Sequence, residues 1–235
     1  MTLEERLEAV RTRMAQAARR SGRDPGAVTL IAVSKTFPAQ AVRDLHSLGQ
    51  TDFGENKVQE FQEKSRELAD TSIRWHLIGH LQRNKAKDVT EDVSLFHGLD
   101  SIRLARELQK RLLAAESRLD CLLQVNVSNE DSKFGVPVSQ VASVLDGMTG
   151  LNRIHIRGFM TLASPADNPE DVRGEFALLK DISTRPDVAA HLVDAAHPVL
   201  SMGMSNDFEV AIEEGATHVR VGSALFGSRD PYLPG

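Results

Sequence analysis

Residues 29–49 read TLIAVSKTFPAQAVRDLHSLG. Thr29 to Val33 is a short apolar run. Pro38 to Leu48 then follows with helical spacing, a proline at its first turn and Gly49 just past its end. Strand, short polar link, helix, and no hairpin turn between them: this is half of a βαβ unit, and the neighbouring strand must be reached by a crossover. The same unit recurs along the chain. TDFGE from Thr51 precedes a helix from Lys57 to Leu68, and Arg74 to Ile78 is a third apolar run. Leu95 to Leu99 precedes a helix from Ser101 to about Glu116, and Leu119 to Val127 precedes one from Val138 to Leu145. Ile154 to Leu162 precedes a helix around Glu170 to Ile182, Val199 to Met204 one through Phe208 to Glu213, and His218 to Val221 comes last. Eight runs, each followed by a crossover, predict a parallel sheet, and that number favours closure into a (β/α)8 TIM barrel. An open doubly wound sheet is the competing architecture, but Ser34-Lys35-Thr36-Phe37 is nothing like the glycine fingerprint that commonly follows its first strand.

The 235 residues, 41% of them hydrophobic, suffice for one barrel, and no linker or low-complexity tract divides them, so a single domain over 1–235 is expected. The N-terminal stretch MTLEERLEAVRTRMAQAARR is charged and amphipathic, which predicts an extra surface helix ahead of the barrel rather than a signal peptide or membrane span. A formal net charge of −5 gives no positive field for a nucleic-acid backbone. The single cysteine, Cys121, lies in the apolar LDCLLQVNV, where an inert buried thiol and a reducing, cytoplasmic location are expected. No long apolar stripe calls for a partner, so a monomer is expected.

A barrel places its functional groups at the C-terminal ends of its strands. Those ends are polar here: Ser34-Lys35, Gly54-Glu55-Asn56, Gly79-His80, Asn126-Val127-Ser128, Met204-Ser205 and Gly222-Ser223. Of eight lysines, Lys57, Lys64, Lys110 and Lys180 sit on helical patterns, Lys85 and Lys87 in a basic cluster and Lys133 in a polar loop, all where solvent is expected. Lys35 instead continues an apolar strand, on the same face as Ile31 and Val33. Desolvation there favours the neutral amine, the form that condenses with an aldehyde, although a strand-end lysine can also simply extend to water. In His218-Val219-Arg220-Val221-Gly222 the valines alternate with polar residues, which directs His218, Arg220 and Gly222 into the barrel. A buried guanidinium needs an acceptor. A carboxylate such as Asp52 or Glu55 would supply one, and so would a ligand. Gly222-Ser223-Ala224-Leu225-Phe226-Gly227, with Ser201 and Ser205 nearby, offers amides and hydroxyls to a phosphate. His76 and His80 lack the company of a metal site, and none is expected. Asn126-Val127-Ser128 is a sequon that a cytoplasmic chain would never present, and Arg83 to Lys87 reads as a solvated helix start or an anion patch.

Six segments carry a resemblance: AVSKT (32–36), FGENKVQE (53–60), WHLIGHLQRNK (75–85), VNVSNEDSKFG (125–135), RGFMTL (157–162) and LSMGMSNDFEVAIEEGATHVRVGSALFG (200–227). In this order they resemble the pyridoxal 5′-phosphate homeostasis protein family, single-domain barrels related to the N-terminal domain of alanine racemase (fold type III). The resemblance implies that Lys35 carries pyridoxal phosphate as a Schiff base. It implies that Ser201, Ser205, Gly222 and Ser223 hold the phosphate, that Arg220 faces the pyridine nitrogen, and that Asn56 lies beside the ring. His80, where many relatives carry proline, and Lys57 after GEN depart from the pattern near the mouth.

The implied role is intracellular cofactor homeostasis, in which the protein buffers the aldehyde, carries it and hands it to pyridoxal-phosphate-dependent apoenzymes by transient contact, without robust catalysis of its own. Racemisation needs a second proton carrier opposite the lysine, and the chain's one tyrosine, Tyr232, is three residues from its end. An arginine at the pyridine nitrogen also weakens the electron sink. A racemase or other Schiff-base enzyme on the same barrel is the alternative. Lys133 is a candidate second amine for hand-off.

Overall fold

The computed structural model describes residues 1–89, 92–128, 130 and 134–227. Lys133 and Tyr232 lie outside the described residues. In chain order the elements are α1 (Leu3–Arg20), β1 (Thr29–Val33), α2 (Ala39–Ser47), β2 (Asp52–Glu55), α3 (Val58–Glu67), β3 (Arg74–Leu77), β4 (Val93–Leu99), α4 (Ile102–Ala114), β5 (Leu119–Asn126), β6 (Val136–Pro137), α5 (Val141–Asp146), β7 (Ile154–Met160), α6 (Arg173–Thr184), α7 (Pro186–Ala189), β8 (Val199–Ser201), α8 (Phe208–Glu213), β9 (His218–Val221) and α9 (Ser223–Phe226).

The strands run β4-β3-β2-β1-β9-β8-β7-β5, all parallel, and pairing of β4 with β5 closes the ring of eight. The two-residue β6 pairs only with the end of β5, outside the ring. Register across the seam sets Ile31 beside Arg220 and Ala32 beside Val221. Strand alternation then sorts the side chains. Leu30, Ala32, Phe53, Trp75, Phe96, Phe159, Val219 and Val221 point outward into one apolar layer beneath the helices. Leu95, Leu122 and Met160 form a separate apolar cluster inside the barrel.

The extra N-terminal helix is present. Thr2 and Glu5 form a reciprocal capping box, and Leu7, Val10, Met14, Ala17 and Ala18 make the buried stripe that packs α1 on α8 and α9. Arg13 lies 4.6 Å over the Phe208 ring and also pairs with Glu209. No helix among the described residues is long and apolar enough to cross a membrane.

Three local readings change. The seventh strand, expected to reach Met204, ends at Ser201. Gly203 takes a φ of +91°, and its α carbon lies so close to Phe208 and Ala211 that a side chain would collide. The link after β3 is a 3-10 helix, Arg83–Asp88, and α7 and α9 are short helices that apolar spacing could not announce.

Candidate functional site

Lys35 follows β1 at the C-terminal face of the barrel and is half-buried. Its neighbours on both sides are tied to α3. Ser34, fully buried, donates its hydroxyl to Glu55 Oε1 at 2.7 Å, and its carbonyl accepts from Lys64 Nζ at 2.8 Å. Thr36 sits in the left-handed region at φ +69°, unusual for a β-branched residue, and its N–H donates to Glu60 Oε2 at 2.9 Å. Glu55 and Lys64 form an ion pair of 2.5 Å between the barrel wall and α3. Lys64 was expected in solvent and is buried instead. It stands three residues after Phe61 and four before Leu68, on the apolar stripe of its helix, which is the signal that locates it. Burial pushes the Glu55 carboxyl above its usual range, and Lys64 and Ser34 only partly offset this. Glu55 Oε2 is the buried side-chain oxygen without a hydrogen-bond partner among the described residues.

Beside this loop stands the segment after β9. The hydroxyl oxygen of Ser205 accepts from the amides of Gly222 at 3.3 Å and Ala224 at 3.5 Å. Gly222 packs on β1 closely enough that a Cβ would lie 3.3 Å from the Val33 carbonyl. Phe37 stacks on Phe226 with ring centroids 4.8 Å apart, joining the Lys35 loop to α9. Lys35, Ser205, Gly222 and Ser223 thus share one end of the β1–β9 seam. Asn56 tops the adjacent β2, its backbone packed against Gly79, where a side chain would not fit. His80 stacks on Phe134 (4.0 Å, 11°) and meets Asp100 at 2.8 Å, so this departure from the family pattern is accommodated at the mouth.

Arg220 points into the barrel and is 4% exposed. Its guanidinium donates to Ser201 Oγ at 2.6 Å and to the Thr161 carbonyl at 2.8 Å. Neither carboxylate considered from sequence is its direct partner. Asp52 pairs with Arg74 and with His76, and Glu55 pairs with Lys64. Burial therefore lowers Arg220 to about 10, with Asp207 opposing. Ser201 departs from its expected place: its fully buried hydroxyl is engaged by Arg220 and His97 rather than turned beside Ser205. Sequence reasoning missed His97 altogether and set His76 aside as a metal candidate. The two rings meet at 2.9 Å inside the barrel. HGL at the end of β4 carried the same inward alternation that was read in β9, and that spacing could have found His97.

One surface cleft lies away from this site and another borders its mouth. One, of about 430 Å³, is lined by residues including Met148, Leu151 and Leu192, and the other, of about 300 Å³, by His80, Arg83, Asp100 and Arg103 among others.

Residues 6–230 match the family described as "Alanine racemase, N-terminal domain". A protein of Aquifex aeolicus named pyridoxal phosphate homeostasis protein is 42% identical over 225 residues, covering 96% of this chain and 97% of that one. The chain belongs to the pyridoxal phosphate homeostasis protein family. A protein of the same name from Pseudomonas aeruginosa is 40% identical over 99% of this chain and 98% of its own. Among solved structures, PipY of Synechococcus elongatus PCC7942 with pyridoxal phosphate bound superposes with a TM-score of 0.81 at 34% identity, covering 96% of this chain and all of that one. Alanine racemase from Corynebacterium glutamicum, at 16% identity and a TM-score of 0.66, shares the fold.

Proposed function

We propose that this chain binds pyridoxal 5′-phosphate as a Schiff base on Lys35 and serves in intracellular homeostasis of that cofactor, buffering it, carrying it and passing it to apoenzymes. The observation that carries this reading is the seam between β1 and β9. One half-buried lysine stands beside a cluster of amide and hydroxyl groups, with a buried guanidinium whose hydrogen-bond acceptors are neutral. This donor set suits a phosphorylated, electron-poor ring. Bound pyridoxal phosphate supplies an aldehyde that an amine can trap. Ser205, Gly222 and Ser223 hold the phosphate. Asn56 lies beside the ring, and Arg220 donates toward the pyridine nitrogen. Ser201 supports Arg220 instead of touching the phosphate. Lys35 is aimed by backbone on either side of it, through Lys64 at Ser34 and Glu60 at Thr36.

A guanidinium at the ring nitrogen leaves that nitrogen unprotonated, so carbanion chemistry is poorly supported and binding without turnover follows. The names borne by the relatives agree with a carrier rather than an enzyme. The carrier works as one unit over 1–235, as a monomer in the reducing cytoplasm, where the buried Cys121 stays inert. Mass spectrometry after borohydride reduction tests the reading. The pyridoxyl adduct is expected on Lys35 and absent from Lys35→Ala. An adduct mapped to another lysine, or sustained interconversion of amino-acid enantiomers by the purified protein, overturns it.

A further inference from the structure

A chain of hydrogen bonds runs through the barrel from Arg220 to Asp52, and proton bookkeeping gives it one direction. Arg220 can only donate, and it does so to Ser201 Oγ. The fully buried Ser201 hydroxyl has one further side-chain partner, His97 Nδ1 at 2.9 Å. Its own hydrogen must therefore go to Nδ1, because an unspent hydroxyl proton buried here would cost as much as a lost hydrogen bond. His97 is then a neutral ring protonated at Nε2, and it donates across 2.9 Å to His76 Nδ1. His76 in turn is neutral, protonated at Nε2, and donates to Asp52 Oδ1 at 3.1 Å. Asp52 accepts at the far end and is held there by Arg74, which donates at 2.9 Å and 2.6 Å. The surroundings agree. His97 is pushed well below its ordinary value by burial and by His76, Arg220 and His218 around it, which favours the neutral ring. His218, the other imidazole facing His76 at 6.1 Å, is lowered to about 3, chiefly by burial. Five residues from β2, β3, β4, β8 and β9 thus form a relay with a guanidinium at one end and a carboxylate at the other.

We propose that His97 and His76 are positioning residues for Arg220, holding the hydroxyl that receives its guanidinium and so fixing the edge offered to the ring nitrogen of the bound cofactor. The proposal rests on the carrier reading above and adds to it the means by which a buried cation is held without a carboxylate in contact. Each donor polarises the next, so Ser201 is a better acceptor for Arg220 than an isolated hydroxyl.

The test begins with cofactor-free protein. Nitrogen-15 spectra of the histidine rings are expected to give His97 and His76 as neutral Nε2–H tautomers between about pH 6 and 8. A proton on His97 Nδ1, or a doubly protonated His76, overturns the proposal. Pyridoxal phosphate binding is measured next. Ser201→Ala and His97→Phe are expected to weaken it about tenfold. His97→Asn, whose amide oxygen can stand where Nδ1 stands, restores affinity to within about threefold of wild type. Unchanged affinity in Ser201→Ala overturns the positioning role, and that small truncation decides the matter if His97→Phe does not fold. If the wild-type protein forms no adduct at Lys35, the carrier reading fails by itself, since the tautomer spectra judge the relay without any cofactor.

Discussion

The two faces of the barrel wall obey opposite rules. Outward, between strands and helices, the layer is apolar and carries aromatic rings such as Phe53, Phe96 and Phe159, interrupted by the buried Glu55–Lys64 ion pair. Inward, a small apolar cluster of Leu95, Leu122 and Met160 shares the space with His76, His97 and His218, a serine, an arginine and an aspartate. The interior of such a barrel is usually filled by branched apolar side chains. Here the outer layer provides cohesion, and the inner one gives up part of its packing to arrange donors and acceptors, the kind of local violation that marks a working site.

The sharpest challenge to this division is Lys64→Ala, because it strands the buried Glu55 carboxylate. A loss of about 3–5 kcal/mol in chemical denaturation is expected, and the double change Glu55→Leu with Lys64→Met should recover most of it. A loss below about 1 kcal/mol would mean that water reaches the pair and the outer layer is less dry than described. The Glu55 carboxyl is already raised, so the folded state holds its proton to higher pH than the unfolded chain does, and stability contributed by that proton falls as pH rises through the window between them.

Asp52 probes the inner face with the opposite sign. Burial disfavours its charge, but hydrogen bonds from His76 and Arg74 outweigh burial and hold the carboxyl well below its usual range. Its contribution is therefore present above the unfolded value of about 4 and is lost as pH falls. Comparing wild type with Asp52→Asn by thermal melts, we expect a gap of about 1–2 kcal/mol at neutral pH, after allowance for solvent screening, that closes on acidification. A gap independent of pH would show that the relay does not end on a carboxylate. The smallest effect is expected from Phe37→Ala at the seam, about 1 kcal/mol of stability. Trapping of pyridoxal phosphate, followed by its visible absorbance, should slow several-fold as the Lys35 loop parts from α9, and an unaltered rate would remove the stack from the site's architecture.

How far these faces can be read before folding depends on period. The eight strands and most helices were legible because a twofold or 3.6-fold alternation survives in each segment, and Lys35 stood out because it extends an apolar run. Arg220 and Gly222 were legible as inward residues for the same reason. Partners were not. That Arg220 rests on Ser201, and reaches Asp52 through His97 and His76, depends on which strands face one another across the closed barrel, and β8 and β9 are far along the chain from β4, β3 and β2. The burial of Lys64 was written in its helical stripe but obscured by its charge, since a lysine is seldom buried without a partner and that partner lay on another element.

Closure through β1 bears on how the protein is made. β1 bonds to β2 on one side and to β9 on the other, so its second edge stays open until β9 has been made. Until then a run of Leu, Ile, Ala and Val is an unpaired template for foreign strands. α1, on the N-terminal side of the barrel strands, cannot dock before α8 and α9 exist, because it packs on them and Arg6 donates to the Leu225 carbonyl. The wall beside Lys35 is therefore completed only once β9 and α9 have joined β1.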